Sequence, residues 1–178
     1  MRLILRRLTH SRQNLSTYKH TNLTILSTLQ EPKFRLPTPN TPNTMNRTHL
    51  LQAFSRTATA DGYHFHSTDD RYIPQLVTAY PALWLSPPEF KQIKGRKHGT
   101  ITYNITAHAL DAGAKLSPTE RTARHTALEE ELIKVFSSLS EEEFVVAVEN
   151  LSIRHSSQTL TSAGEVAATA TAEVITFF

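Results

Sequence analysis

Residues 117–139 read SPTERTARHTALEEELIKVFSSL and contain the clearest structural signal in the chain. The first four residues predict a helix start. The Ser117 hydroxyl can accept a hydrogen bond from the backbone N–H of Glu120, and the Glu120 carboxylate can accept one from Ser117. Pro118 falls at the first helical position, where a missing N–H costs nothing. The apolar residues that follow recur at helical spacing and are Leu128, Leu132, Val135, Phe136 and Leu139. The stretch therefore predicts an amphipathic helix, which needs a sheet to pack on.

The segments on either side of this stretch have the pattern of strands. Apolar and polar residues alternate over most of residues 100–110 and again over most of residues 166–174. Such alternation is typical of half-buried antiparallel strands. Short connections favour hairpins over crossovers. The order of elements predicts an α+β fold, a mostly antiparallel β-sheet with one long helix and an N-terminal helix packed largely on one face.

The remaining elements follow from caps, turns and β-branched runs. A first helix is predicted from a cap at Asn46 or Thr48 to about Ala60, and strands are predicted over residues 63–67, 81–86 and 144–155. Residues 68–80 read as a loop with one helical turn near residues 74–79. Residues 140–143, Ser-Glu-Glu-Glu, either begin another short helix or form an exposed acidic turn.

The first 44 residues differ in composition from the rest of the chain. They hold seven Lys and Arg against one acid, Glu31, whereas residues 45–178 hold twelve against fifteen. We predict that residues 1–44 are a disordered or loosely attached extension and that residues 45–178 form a single α+β domain. The only other methionine, Met45, lies at this boundary. That position suggests that Met45 is the biological start and residues 1–44 are upstream sequence, the alternative being an organellar presequence.

The composition excludes several functional classes. There is no Cys, which excludes disulfides, thiol catalysis and cysteine zinc sites. No apolar run approaches the roughly 20 residues that span a bilayer, so we expect no membrane association. The pI of about 9.3 comes from the first 44 residues, and it does not indicate that the folded part binds nucleic acid.

A basic loop is predicted over residues 91–99. It contains no acid, and its cationic or titratable residues are Lys91, Lys94, Arg96, Lys97 and His98. Such a loop is either a solvated hairpin tip or a contact for phosphate or an acidic partner. The nearest aromatic residues, Trp84 and Phe90, do not form the interleaved platform of a single-strand binder. Any nucleic-acid contact would therefore be a non-specific contact to the DNA backbone.

Two histidines, His64 and His66, share one face of a predicted strand and are followed by Asp69 and Asp70. Imidazole and carboxylate ligands suit a divalent metal. A solvent-facing polar strand is the simpler interpretation, since no HExxH-like helix accompanies the pair. We therefore predict no metal site and keep these two histidines as weak candidates.

The sequence contains no pattern that would identify an enzyme. The Glu runs at residues 129–131 and 141–143 could supply paired carboxylates, but neighbouring helical residues point in different directions, which favours solvated faces. No nucleophile elbow, phosphate loop or dinucleotide fingerprint is present. We predict no catalytic residues and no cofactor.

The C-terminal residues Ile175-Thr176-Phe177-Phe178 suggest a sheet edge that a neighbouring subunit could cover. Ile175, Phe177 and Phe178 are therefore a possible subunit interface. The alternative is that both phenylalanines pack under the helix of their own domain.

Four segments carry a resemblance to a known family. They are residues 80–85, 99–103, 116–121 and Gly164-Glu165 leading to residues 176–178. With the order of elements, they make residues 45–178 resemble the tail-terminator, or tail-completion, proteins of long-tailed bacteriophages. The resemblance implies a small α+β protein that forms a ring, usually hexameric, which caps the tail tube and joins it to the head. It also implies that the basic loop faces the lumen or the next ring, and that the outer strands carry subunit contacts.

Three functional hypotheses follow. The first is a structural, non-enzymatic ring subunit of a phage or prophage. Its partners would be itself, tail-tube proteins and head-completion proteins, and it would be assembled in the bacterial cytoplasm into the virion tail. The second is a non-viral interaction module that binds an acidic partner or nucleic acid through the basic loop. The third is a small metal-dependent enzyme that uses His64 and His66.

Overall fold

The computed structural model describes residues 42–178, with side chains described from Asn46 onwards. The predictions for residues 1–41 lie outside these described residues. The helices are α1 (Pro42–Ala60), a 3₁₀ turn (Asp70–Tyr72), α2 (Ile73–Leu76) and α3 (Pro118–Ser140). The strands are β1 (His64–Ser67), β2 (Ala82–Leu85), β3 (Glu89–Gly95), β4 (Gly99–Asp111), β5 (Val145–His155) and β6 (Val166–Phe177).

The strands of this part of the chain form one six-stranded sheet in the order β1-β2-β4-β6-β5, with β3 also paired to β4. β2 pairs with the second half of β4 and β3 with its first half, so both lie on the same side of β4. β4 and β6 pair along their whole lengths. All pairs are antiparallel except β1–β2. The predicted α+β class and mostly antiparallel sheet are confirmed.

The main core lies between one face of the sheet and the two long helices. The stripe predicted for α3 is buried throughout. α1 contributes Leu50, Ala53, Phe54 and Ala58 to the same core, and the rings of Phe54 and Phe136 meet edge to face. Since β4 and β6 present mostly small and β-branched residues here, the helices pack close to the sheet. Both helices cover one face, as predicted.

The opposite face of the sheet is covered at one end only. There α2 and the β5–β6 loop pack Ile73, Val77 and Leu160 against Trp84 and its neighbours. Buried Glu165 organises the loop by accepting hydrogen bonds from the backbone N–H of Leu160 and from the backbone N–H and hydroxyl of Thr161. Burial raises the pKa of Glu165, but these hydrogen bonds outweigh it and hold the pKa below its usual value. Further along this face, Asn104 and Thr171 are exposed.

The sequence placed the start of α1 too late. The helix begins at Pro42, where proline is tolerated at the first helical position, so residues 42–44 are not linker. Asn46 does not cap the helix. Its side-chain amide donates to the Thr176 hydroxyl at 3.0 Å and to the Phe177 carbonyl at 2.6 Å, and the residue is 7% exposed. These bonds connect α1 to the end of β6.

The predicted start of α3 is confirmed in detail. The backbone N–H of Ser117 donates to Glu120 Oε2 at 2.8 Å, and the backbone N–H of Glu120 donates to Ser117 Oγ at 3.4 Å, which completes a capping box. The Ser117 hydroxyl also donates to Glu120 Oε2 at 2.7 Å, and this bond, together with the one from the Ser117 N–H, lowers the pKa of Glu120. Arg121 then donates to the carbonyls of Gly113 and Gly164, which fixes the first turn to both neighbouring loops.

Three further predictions need correction. Residues 91–95 belong to β3, so the basic segment is mostly strand. β1 runs parallel to β2 through a 14-residue connection, whereas hairpins were expected. β6 lies between β4 and β5, so the C-terminus is not at an edge of the sheet. Its alternation is that of a central strand with one buried face.

Candidate functional site: a basic hairpin tip and two sheet edges

The basic segment forms the end of the β3–β4 hairpin. Gly95 and Gly99 pair, leaving a three-residue turn of Arg96, Lys97 and His98, all of them exposed. Gly95 has φ +109, and a Cβ at Gly99 would lie 2.0 Å from the Lys94 carbonyl oxygen and 2.8 Å from the Phe178 ring. This turn therefore depends on both glycines.

The cations of this segment do not form a single group. Lys91 lies on β3 and pairs with Glu173 of β6, which lowers the pKa of that carboxyl. Lys94, Arg96 and Lys97 form no ion pair within the described residues. We call Lys94, Arg96, Lys97 and His98 the basic tip. The contact predicted for the basic loop is therefore limited to these four residues, because Lys91 is paired with Glu173.

The C-terminal candidates separate into an exposed residue and two partly buried ones. Phe177 is 55% exposed, at the same end of the sheet as the basic tip. Phe178 packs against the main core, and its N–H donates to the Gly99 carbonyl at 3.1 Å. Ile175 is half-buried on the face of the sheet away from the long helices, where it pairs in register with Thr102 of β4. Only Phe177 presents a large apolar surface.

The true sheet edges at the end that carries the tip are β3 and β5. Each bears exposed apolar residues: Phe90 and Ile93 on β3, and Val146 and Leu151 on β5. The β5 edge is irregular, with register shifts at Val145/Ala147 and Glu149/Ser152 and a positive φ at Asn150. Bulges of this kind limit uncontrolled pairing at an edge.

The structure assigns other roles to the candidate metal residues. His66 stacks on Trp84, with ring centroids 5.8 Å apart, while His64 is exposed. Burial lowers the pKa of His66, and His64 adds to the effect. Asp69 accepts from the backbone N–H of Arg71 at 3.1 Å. Within residues 42–178, no three His, Asp or Glu side chains are grouped as a metal site would require.

Asp70 lies at the centre of a polar cluster that the sequence did not predict. Its Oδ1 accepts from Trp84 Nε1 at 3.0 Å and from the Ser86 hydroxyl at 2.6 Å, and its Oδ2 is 3.5 Å from His108 Nε2. His108 Nδ1 lies 2.8 Å from the Thr169 hydroxyl. Burial lowers the pKa of His108, and Asp70 opposes this shift. Because Ser86 contacts the carboxylate and not the imidazole, the arrangement is not that of a nucleophilic triad.

An open groove of about 580 Å³ lies beside this cluster, where the chain passes from β2 to β3. Its polar lining includes Arg47, Asp69, Asp70 and Glu89, and Phe90 forms one wall. The groove is a notch between the two strands that share one side of β4. The hydrogen-bonded pair of Ser86 and Asp70 is part of its lining.

The glutamates of α3 contact structural partners. Glu129 Oε2 lies 3.0 Å from His155 Nε2, and the His155 ring stacks on His125 with centroids 4.7 Å apart. Burial raises the pKa of Glu131, and the nearby Asp61 adds to the effect. Asp61 in turn pairs with Lys134, which lowers its pKa. These carboxylates hold α3 to its neighbours.

The acidic residues at 141–143 form a turn, which resolves the two interpretations left open for them. Glu142 pairs with Arg56, whereas Glu141 and Glu143 are exposed and form no ion pair within the described residues. We call Glu141 and Glu143 the acidic turn. It lies directly before β5, at the end of the sheet that carries the basic tip.

The sequence matches no protein-family model, and a search of curated proteins finds no match either. Among the described helices, none is both long enough and apolar enough to cross a membrane.

Proposed function

We propose that this chain is a non-enzymatic assembly protein, a tail-terminator-like ring subunit that caps a phage tail tube and joins it to the head. The observation that carries the proposal is the presence of two different edges, β3 with the basic tip and β5 with the acidic turn, on opposite sides of one sheet. Closed cyclic rings require two different patches on each subunit. The α+β class agrees with what the sequence resemblance implied.

In this proposal the helices and their core are a scaffold, and the surfaces at the tip end of the sheet make the contacts. The basic tip meets the tail tube or the phosphates of DNA that passes through the ring. Phe177 and the β3 and β5 edges contribute to the contacts between subunits and with tail-tube and head-completion proteins.

The test is the oligomeric state of the full chain. Light scattering and negative-stain microscopy should show a closed ring, and the ring should stop elongation when added to a purified tail-tube protein of a long-tailed phage. A strict monomer at high concentration, with no effect on tube length, would contradict the proposal.

The unpaired cations of the basic tip favour a second candidate, an interaction module that binds an acidic partner or nucleic-acid backbone as a monomer or dimer. Its distinguishing result is salt-dependent binding to duplex DNA of unrelated sequences without ring formation.

A further inference from the structure

We propose that the basic tip of one copy binds the acidic turn of a second copy, with the β3 edge of the first beside the β5 edge of the second. The inference rests on the proposed function in one respect, that the chain assembles head to tail. It adds which surfaces meet and which residues select the partner.

The two sites carry opposite charge, and among the described residues they form no ion pair with each other within one subunit. At the tip end of the sheet the order is β3-β4-β6-β5, so the two edge strands are three strand spacings apart, roughly 14 Å. Arg96 and Lys97 lie at the end of the β3–β4 hairpin, and Glu141 and Glu143 lie just before the start of β5. Each pair lacks an ion-pair partner within the described residues.

Both sites are electrostatically unfavourable in an isolated subunit. Glu141 is the C-terminal cap of α3, whose last turn carries no basic residue, and negative charge at a helix C-terminus opposes the helix dipole. On the other edge, Lys94, Arg96 and Lys97 repel one another within four residues of sequence. A contact between the two sites would relieve both costs.

The directions of the two edge strands also suit this contact. β3 runs towards the tip end of the sheet, because Gly95 pairs with Gly99, and β5 runs away from it, because Val145 pairs with Thr176. A second copy in the same orientation therefore places its β5 antiparallel to β3. The same placement brings its acidic turn beside the basic tip. β1 and β2 occupy the other half of that side, so the contact is confined to the half that carries the tip.

Exposed apolar side chains lie along both edges and would be buried in this contact. Ile93 is 54% exposed on β3, and Val146 is 45% exposed where β5 begins. Apolar residues flanked by opposite charges are the ordinary composition of a specific interface. Binding of a second copy would cover the exposed residues of both edges, whereas binding of DNA would neutralise only the charge of the basic tip.

Charge reversal in the full chain tests the contact. Variant A carries Arg96→Glu with Lys97→Glu, and variant B carries Glu141→Lys with Glu143→Lys. Each variant alone should weaken assembly at least tenfold, measured by analytical ultracentrifugation at low salt. An equimolar mixture of A and B should recover assembly, because each reversed site meets its complement and an alternating ring of even number closes. The fourfold variant should recover assembly by itself.

A control, Lys115→Glu, reverses an exposed charge at the opposite end of the sheet, on neither edge strand, and should leave assembly unchanged. Thermal unfolding verifies that every variant is folded.

If the wild-type chain forms rings and variants A and B do so equally well, or if the mixture fails to recover, the interface is wrong and the proposed function stands. If the wild-type chain is a monomer at every concentration, the proposed function fails and the interface with it. If variant A loses DNA binding while its assembly is unchanged, the tip binds nucleic acid and the interface is wrong.

Discussion

Asp70 accepts hydrogen bonds from Trp84 and Ser86, so a single carboxylate connects the 3₁₀ turn to β2. Trp84 is fully buried, and without Asp70 its indole N–H has no acceptor. We expect Asp70→Ala to lower the free energy of unfolding by about 1–2 kcal/mol, the cost of leaving a buried donor unpaired. Urea unfolding followed by the emission of Trp84, the only tryptophan, measures this change.

Asp69→Ala is the control for this prediction. It removes an adjacent carboxylate that caps the 3₁₀ turn through the Arg71 backbone N–H and pairs with the exposed Arg71 side chain, and it leaves the Trp84 indole bond in place. An equal loss of stability in both variants would show that the buried indole is not the cause.

His125 gives the fold a pH dependence whose direction follows from its surroundings. Burial lowers its pKa, and His155 and Arg121 lower it further. Below the ordinary histidine pKa of about 6.5, the unfolded chain therefore binds a proton that the folded chain does not, so stability decreases with acidification. The pKa values of His66 and His108 are lowered as well, and they act in the same direction.

We expect the melting temperature to fall between about pH 7 and pH 5.5, and His125→Gln to make that fall smaller. Differential scanning calorimetry across this range measures it. His98→Gln, a substitution in the exposed turn, should leave the pH dependence as it is in the wild-type chain. If His125→Gln and the wild-type chain lose stability in parallel, His125 is not one of the groups responsible.

At the scale of the element, α3 depends on its capping box because it covers β4, β6 and β5 together. Ser117→Ala removes the hydroxyl that accepts from Glu120 and should cost about 1 kcal/mol. For a chain of this size that corresponds to a melting temperature lower by roughly 2–4 °C. Thr119→Ala, in the same turn and with an exposed side chain, is the control and should change the melting temperature by less than a degree. A similar loss in both variants would mean that helix propensity, and not the cap, governs this end of α3.

The elements that the sequence predicted well have one buried face. In α3, β4 and β6 the apolar residues recur with the period of a helix or a strand, because they line the buried face of the element. β3 was missed because it is an edge strand with hardly any buried surface. Its residues face solvent, so they do not show the alternation of a strand that packs on a core. β1 was assigned correctly as a strand, but its parallel partner lies 14 residues further on, and nothing local specifies that pairing.

The site was predictable only where charge is local in sequence. Arg96, Lys97 and their neighbours are adjacent in the chain, so their common position was visible without a structure. The sequence did not show that Lys91 is separate from that group, because this depends on its pairing with Glu173, 82 residues away. The Asp70 cluster likewise combines residues from the 3₁₀ turn, β2, β4 and β6, none of which forms a motif.

At the scale of the whole molecule, charge is divided between parts of the chain. Residues 1–44 carry a net charge of +6 and residues 45–178 one of −3, so any DNA binding by the full chain has two separate sources. The contribution of the basic tip to DNA binding can be separated from that of the first 44 residues by comparing the wild-type chain with variants of the tip, because the first 44 residues are the same in all of them.

If the tip contacts phosphates, Arg96→Ala with Lys97→Ala should reduce the dependence of log K on log salt by about two units on duplex DNA. Fluorescence anisotropy of a labelled duplex at several salt concentrations measures this slope, and the same reduction is expected for unrelated sequences. Thermal stability should not change, because neither side chain forms an ion pair within the described residues. Lys115→Ala with Arg154→Ala removes equal charge at the other end of the sheet and should change the slope little. A large drop in melting temperature would mean that the tip is structural. An unchanged slope would assign all binding to other cations, and it would leave the tip free for a protein partner.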